Sequence, residues 1–207
     1  MTEAQGLALF DAMGVPVVAS AIVRAPDFAH ALPYPVALKI LSAEVAHKSD
    51  AGGVVLGIAT RQEFESRARQ LSPEGAPLLV QRMAAGLAEA IVGYRDDPVV
   101  GPLVMVGAGG ILAELYNDVV LRPAPVDEAE ALAMIGQVTG FALLRGFRGR
   151  QRGDLQALAK AVVAMSRLAL LAGRPVQEAE ANPVIVKAAG VVAVDALVVL
   201  KQQRQGE

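Results

Sequence analysis

Asn182-Pro-Val-Ile-Val-Lys-Ala-Ala-Gly-Val-Val-Ala-Val-Asp195 reads as two apolar runs folded back on each other. Pro183 to Val186 and Val191 to Val199 have strand composition, and Ala188-Ala189-Gly190 between them supplies the turn. A hairpin sets Asn182, just before the first run, beside Asp195 within the second. Asp195 is surrounded by Val191, Val192, Val194, Leu197 and Val198. A carboxylate in that company is costly unless a metal or a cationic partner meets it. One Asp and one Asn suit Mg²⁺, which keeps several waters and takes its remaining ligands from phosphates. The plainer alternative is an Asx-Pro turn followed by one strand-interior aspartate.

Outward from this hairpin, strands and helices alternate irregularly. Val17–Val23, Tyr34–Ile40, Val54–Ile58, Pro77–Met83, Ala88–Tyr94 and Leu103–Val106 are short β-rich runs. Gln5–Met13 and Gln62–Leu71 read as helices, and Asp27–Leu32 as a helical turn. Asp127 and Glu130 form a capping box ahead of a helix reaching about Ile135. Asp154 caps another, with Leu155, Leu158, Val162, Met165 and Leu168 at helical spacing through about Leu171. Hairpin-like strand pairs mixed with helices predict an α+β fold (α/β in the broad sense) in lobes rather than a regular doubly wound sheet.

Composition narrows the function. There are 19 basic and 21 acidic residues and no long run of one sign. A nucleic-acid partner, which needs a basic face, is not expected. The absence of cysteine removes thiolate metal sites, thiol nucleophiles and disulfides. That fits a cytoplasmic setting. Although 54% of residues are hydrophobic, the uncharged stretch Pro98–Ala113 carries two prolines and four glycines. It is also shorter than the ~20 residues of a spanning helix. No membrane segment and no signal peptide are expected.

Three further clusters can carry chemistry. Lys39 ends an otherwise apolar strand, where its ammonium either snorkels to water or meets an anion such as a nucleotide phosphate. His47-Lys48-Ser49-Asp50, followed by Gly52-Gly53, is the densest polar cluster. Paired glycines let backbone N–H groups approach phosphate, and a neutral imidazole can carry a phosphoryl group. The other histidine, His30, lacks such neighbours and reads as surface or packing. Gly107-Ala108-Gly109-Gly110 follows a buried strand and is more often a turn than a phosphate site. Arg145-Gly146-Phe147-Arg148-Gly149-Arg150 is either a solvated loop or a contact for an anion or a partner.

Taken in order, several segments resemble the ATP-grasp part, the β subunit, of the ADP-forming acetate-CoA ligase (acetyl-CoA synthetase) family, related to the succinyl-CoA synthetase β subunit. They are Tyr34-Pro-Val-Ala-Leu-Lys39, His47-Lys-Ser-Asp-Ala-Gly-Gly-Val54, Leu79-Val-Gln-Arg-Met83 and Ala88-Glu-Ala-Ile-Val-Gly93. Gly101 to Gly110, Glu180-Ala-Asn-Pro183 and Val194-Asp-Ala196 complete the set. The resemblance implies an ATP-grasp fold of two lobes clasping a nucleotide, residues 1–82 and residues 83–207, the second carrying the Mg²⁺ site. It implies a phosphoryl-transfer role between a phosphohistidine and ADP or ATP, with a CoA-binding α-type subunit or domain as partner. It gives Lys39 and Lys48, with Gly52 and Gly53, to the nucleotide phosphates, Val80, Gln81, Arg82 and Met83 to the adenine hinge, and Glu89 to the ribose. Asn182 and Asp195 would hold Mg²⁺, Glu180 would orient the phosphohistidine, and His47 would carry phosphate. The family usually has a glutamate where this chain has Arg82, which bears on nucleotide choice. Other implied readings are a non-catalytic nucleotide-binding regulatory module and an ATP-grasp ligase using an acyl phosphate. The company His47 keeps with Glu180, Asn182 and Asp195 argues against the first, and the His-Lys-Ser-Asp segment against the second.

Overall fold

The computed structural model describes residues 1–41, 53–110 and 117–201. His47, Lys48 and Gly52 therefore lie outside the described residues. By contacts the chain divides into a smaller unit, Thr2–Gln5 with Val18–Ala84, and a larger one, Met1, Gly6–Val17 and Ala85–Glu207. The sequence-based division was 1–82 and 83–207. The segment Gly6–Val17 joins the larger unit because Val17 bridges Ala193 and Pro16 O accepts the Ala193 N–H at 2.8 Å.

The smaller unit is built on an antiparallel sheet in the order β1-β4-β2-β3. Its strands are β1 (Ser20–Val23), β2 (Val36–Ile40), β3 (Val54–Ile58) and β4 (Leu78–Arg82). Alternation sorts their side chains. Val36, Leu38, Leu78 and Val80 turn to one face and form a core with Ile58, Phe64 and Ala68. Phe64 and Ala68 come from α2 (Arg61–Leu71), whose first turn is capped by Thr60 accepting the Glu63 N–H at 3.2 Å. The turn expected over Asp27–Leu32 is not helical. Asp27 accepts the Ala29 N–H at 3.1 Å, an Asx turn that diverts the backbone, while Phe28 plugs the core.

The larger unit carries a sheet in the order β10-β8-β5-β6-β7, with β9 also paired to β8, all antiparallel. These strands are β5 (Ala88–Asp97), β6 (Gly101–Ala108), β7 (Val119–Pro123), β8 (Val176–Val186), β9 (Val191–Ala193) and β10 (Leu197–Leu200). On one face Ala90, Val92, Tyr94, Val104 and Val106 are buried. Helices α3 (Glu128–Gln137) and α4 (Leu155–Ser166) pack there, contributing Met134, Ile135, Leu158, Val162 and Met165 to the core. In α1 (Glu3–Met13), Leu7 and Phe10 are buried, and Gly6 lets the helix approach Ala196 so closely that an added Cβ would stand 3.0 Å from the alanine methyl.

Further details depart from the sequence reading: β8 begins at Val176, well before the expected Pro183. Strand β7 was not anticipated. The final run is two strands, β9 and β10, interrupted at Val194–Ala196, where Asp195 accepts the Ala196 N–H at 2.8 Å. The capping box of α3 is half made: Asp127 takes the Glu130 N–H at 2.8 Å, but the Glu130 carboxylate turns to Arg122 at 2.6 Å.

Candidate functional site

The registers of the last three strands place the acidic cluster. Strand β8 pairs Val184 with Ala193 in β9 and Glu180 with Leu197 in β10. Between these points Val194 N donates to Pro183 O at 3.1 Å, so the pairing runs on without a slip and sets Asn182 opposite Asp195. Opposed residues of an antiparallel pair share a face. Glu180 lies two residues from Asn182 on that face, and Asn182 Nδ2 donates to Glu180 Oε1 at 3.2 Å. The register thus sets Asn182 opposite Asp195, the two residues the sequence hairpin placed side by side, and Glu180 is bonded to Asn182.

This donor set fits a hard divalent cation that relies on waters and phosphates. The Asn182 amide nitrogen is turned to Glu180, so the amide oxygen is the atom of Asn182 suited to ligate, with the Asp195 carboxylate across from it. Among the described residues no group of three or more His, Cys, Asp or Glu is gathered to hold a metal by side chains alone. A two-oxygen site is what Mg²⁺ uses when substrate phosphates complete its shell.

The hairpin is fixed from behind. Asp154 caps α4 by accepting the Ala157 N–H at 2.9 Å, and its second oxygen accepts the Gly190 N–H at 2.7 Å. Gly190, in a left-handed conformation at φ 79°, makes the β8–β9 turn. The Gly190 and Ala157 N–H groups hold the Asp154 carboxyl below the usual aspartate range. One side chain thereby ties a helix start to the turn of the strand pair that carries Asn182 and Asp195.

Glu89 is exposed on β5 and lines a cavity of about 1010 Å³ in the larger unit, with Gly109, Gly110, Asp118, Thr139 and Phe141 among its walls. The glycine run here is explained by close packing. An added Cβ at Gly107 would stand 2.5 Å from Val119 Cγ1, and one at Gly109 3.0 Å from the Glu89 backbone. Nothing among its sequence neighbours marks Asp118. Its carboxylate accepts the Thr139 N–H at 3.0 Å and the Gly140 N–H at 2.6 Å, pinning the loop after α3. The basic run is likewise anchored: Arg145 donates to the carbonyls of Ile135, Gly136 and Val138 at the end of α3.

In the smaller unit Lys39 does not snorkel. It is only 6% exposed, and its Nζ donates to Glu3 Oε1 at 2.6 Å. Register places Lys39 opposite Leu79, and Ala37 opposite Gln81, on the sheet face away from the aromatic core. Gln81 is 2% exposed, and its Nε2 has no partner among the described residues. A buried amide donor without an acceptor costs about 1–3 kcal/mol, which an incoming acceptor would recover. The other residues expected to form a hinge differ from it. Val80 is a core residue, Arg82 is exposed with its N–H on Ala19 O, and Met83 is partly exposed with its N–H on Pro35 O. Gly53 gives its carbonyl to the Ile40 N–H at 2.9 Å.

A buried lysine and a buried amide without a partner among the described residues thus stand on one sheet, and Asn182 faces Asp195 on the other. Residues 1–200 match the family model of the ATP-grasp domain, and the chain belongs to that family. Within it the chain is a β-subunit-like domain of the ADP-forming acetate-CoA ligases. It is 33% identical to the β subunit of acetate-CoA ligase (ADP-forming) I of Pyrococcus furiosus, over 97% of this chain and 91% of that one. It is 37% identical to acetate-CoA ligase (ADP-forming) I of Archaeoglobus fulgidus over 97% of this chain but only 31% of that enzyme. A solved structure of the dinucleotide-forming acetyl-coenzyme A synthetase 1 of Ca. Korarchaeum cryptofilum superposes with a TM-score of 0.85 and 35% identity, covering 96% of this chain and 92% of that one. That protein was captured with coenzyme A and Mg-AMPPCP, its phosphohistidine segment pointing towards the nucleotide-binding site.

Proposed function

We propose that this chain is the nucleotide-binding, phosphoryl-transfer half of an ADP-forming acyl-CoA synthetase, moving phosphate between a phosphohistidine and ADP. The observation that carries the reading is the matched register of Val184 with Ala193 and of Glu180 with Leu197, which sets Asn182 opposite Asp195, with Asn182 bonded to Glu180. Bound Mg²⁺ would neutralise phosphate charge, with Asn182 and Asp195 as its protein ligands. Phosphoryl transfer asks mainly for positioning and charge neutralisation, and the other residues supply both. Lys39 and Lys48 hold nucleotide phosphates, with backbone N–H groups near Gly52 and Gly53 assisting. Gln81 offers its amide N–H to the adenine edge, Val80 to Met83 form the hinge, and Glu89 takes the ribose. Glu180 orients an incoming phosphohistidine, and His47 is a second carrier of the phosphoryl group.

A CoA-binding α-type subunit or domain would supply the first phosphohistidine and the acyl chemistry. The Pyrococcus relative, named as a β subunit, supports that division. A cytoplasmic setting goes with it, and no described helix is long and apolar enough to cross a membrane. Calorimetric titration with ADP tests the binding half. Affinity should depend on Mg²⁺, and Asp195→Asn should lower it about tenfold or more. Mg²⁺-independent binding would sink the metal assignment. Radiolabelled ATP with Mg²⁺, in the presence of the CoA-binding partner, tests the transfer half: wild type should carry acid-labile phosphate, and His47→Ala should lose the label.

A further inference from the structure

Lys39 and Gln81 are polar exceptions on a strand face whose other paired members, Ala37 and Leu79, are apolar. Lys39 differs from Gln81 in having an anion already in place. Its partner Glu3 lies in the first turn of α1, and its side chain is 2% exposed against 7% for the lysine. Placing two opposite charges in such a site is expensive, and an apolar pair of equal volume is often as stable or more so. The pair is therefore poorly explained by stability.

It is well explained by positioning. A lysine side chain loses roughly 2 kcal/mol of rotamer freedom when fixed. Glu3 fixes it before any ligand arrives, through a bond of 2.6 Å. Glu3 is itself held on a helix, in the first turn where the dipole favours a carboxylate. An ammonium has three donors and can serve a carboxylate and a phosphate oxygen together. The carboxylate also moderates the cation, so that an anion entering the face meets a charge that is oriented yet compensated.

We propose that Glu3 is a positioning residue for nucleotide binding, acting through Lys39 by holding its ammonium where a phosphate oxygen is received. This rests on the reading of Lys39 as a phosphate ligand given above. The test is titration of Mg-ADP into full-length wild type, Glu3→Gln, Glu3→Asp, Lys39→Ala and the double variant Glu3→Gln/Lys39→Ala, with thermal unfolding as the check of folding. Glu3→Gln should weaken Mg-ADP binding about tenfold, and Glu3→Asp, which keeps the charge, about threefold or less. In the Lys39→Ala background Glu3→Gln should cause no further loss, because its effect passes through the missing ammonium. A purely structural Glu3 would weaken binding equally in both backgrounds, and that result overturns the proposal. So does wild-type affinity in Glu3→Gln. If Glu3→Gln fails to fold, Glu3→Asp decides: a loss confined to the Lys39 background supports the proposal, and no loss overturns it. If Lys39→Ala binds Mg-ADP like wild type, the phosphate role of Lys39 is wrong and this inference falls with it. If Lys39→Ala loses binding while Glu3→Gln retains it, only this inference falls.

Discussion

Lys39 of the smaller unit and the carboxylates at the turns of the larger one are held in different ways. In the smaller unit Lys39 is met by a side chain of opposite charge, Glu3, brought from the start of α1. In the larger unit Asp118 is met by the backbone N–H groups of Thr139 and Gly140, Asp154 by those of Ala157 and Gly190, and Asp195 accepts from Ala196, while Asp96 is met by the side chains of Arg174 and Lys201. A backbone donor cannot swing away, so the second arrangement fixes geometry. The first fixes a cation and compensates it.

The comparison can be broken first at the packing beneath it. The core of the smaller unit is one modest cluster in which Phe64 is fully buried and contacts the rings of His30 and Tyr34 edge-on. Phe64→Ala should cost about 3–5 kcal/mol, read as a drop in the urea midpoint. It should also weaken Mg-ADP binding, because Leu38 and Val80 lie in the same cluster and alternate with Lys39 and Gln81 on their strands. Unchanged nucleotide affinity in a clearly destabilised Phe64→Ala would show that the sheet's two faces are independent.

A smaller effect probes the backbone-held carboxylates. Asp154→Ala removes a helix cap and the partner of Gly190 N–H, and should destabilise by about 1–2 kcal/mol at neutral pH. Its pH dependence follows from the sign of the shift. The folded pKa is lowered, so the contribution is present above the unfolded value of about 3.9 and is lost as pH falls through the folded value. The difference between wild type and Asp154→Ala should therefore close in acid. A difference that persists unchanged at pH 2 would mean that the ionised carboxylate is not what stabilises the turn.

The same contrast explains what could be read in advance. The β8–β9 hairpin was legible because the constraint is local: two β-rich runs and a short turn. The Asp154 cap was legible for the same reason, but its second bond, to Gly190, was not, since 36 residues separate the two. Nor was Glu3, which reads only as an acidic residue opening a helix until β2 delivers Lys39 from the same distance in sequence. Strand β7 was missed because Val119–Pro123 is short, carries Arg122, and ends in proline; only pairing with β6 makes it a strand. Local chemistry is written in neighbouring residues, whereas long-range partners are supplied by topology.

The smallest predicted effect separates His30 from the charge devices around it. His30 packs edge-on against Tyr34 and Phe64 at centroid distances of 5.3 and 4.5 Å. Both ring nitrogens are buried, and no hydrogen bond of ordinary geometry reaches either among the described residues. Desolvation lowers its pKa below 6.5, the nearby Leu32 backbone offsets part of that, and Arg61 adds to the lowering. The sign is fixed by which state takes the proton. Below about pH 6.5 the unfolded chain protonates this imidazole while the folded chain leaves it neutral. Stability contributed by the neutral packed ring is therefore whole above pH 6.5. It declines as pH falls towards the folded value, at no more than one proton's slope, about 1.4 kcal/mol per pH unit. His30→Phe keeps an aromatic ring against Tyr34 and Phe64 and removes the titration. Urea unfolding at pH 7.5 and pH 5.5 should show wild type losing stability by more than His30→Phe does. Equal losses would mean that the imidazole gains a proton acceptor in the folded chain, and that this corner of the smaller unit compensates charge as Lys39 is compensated.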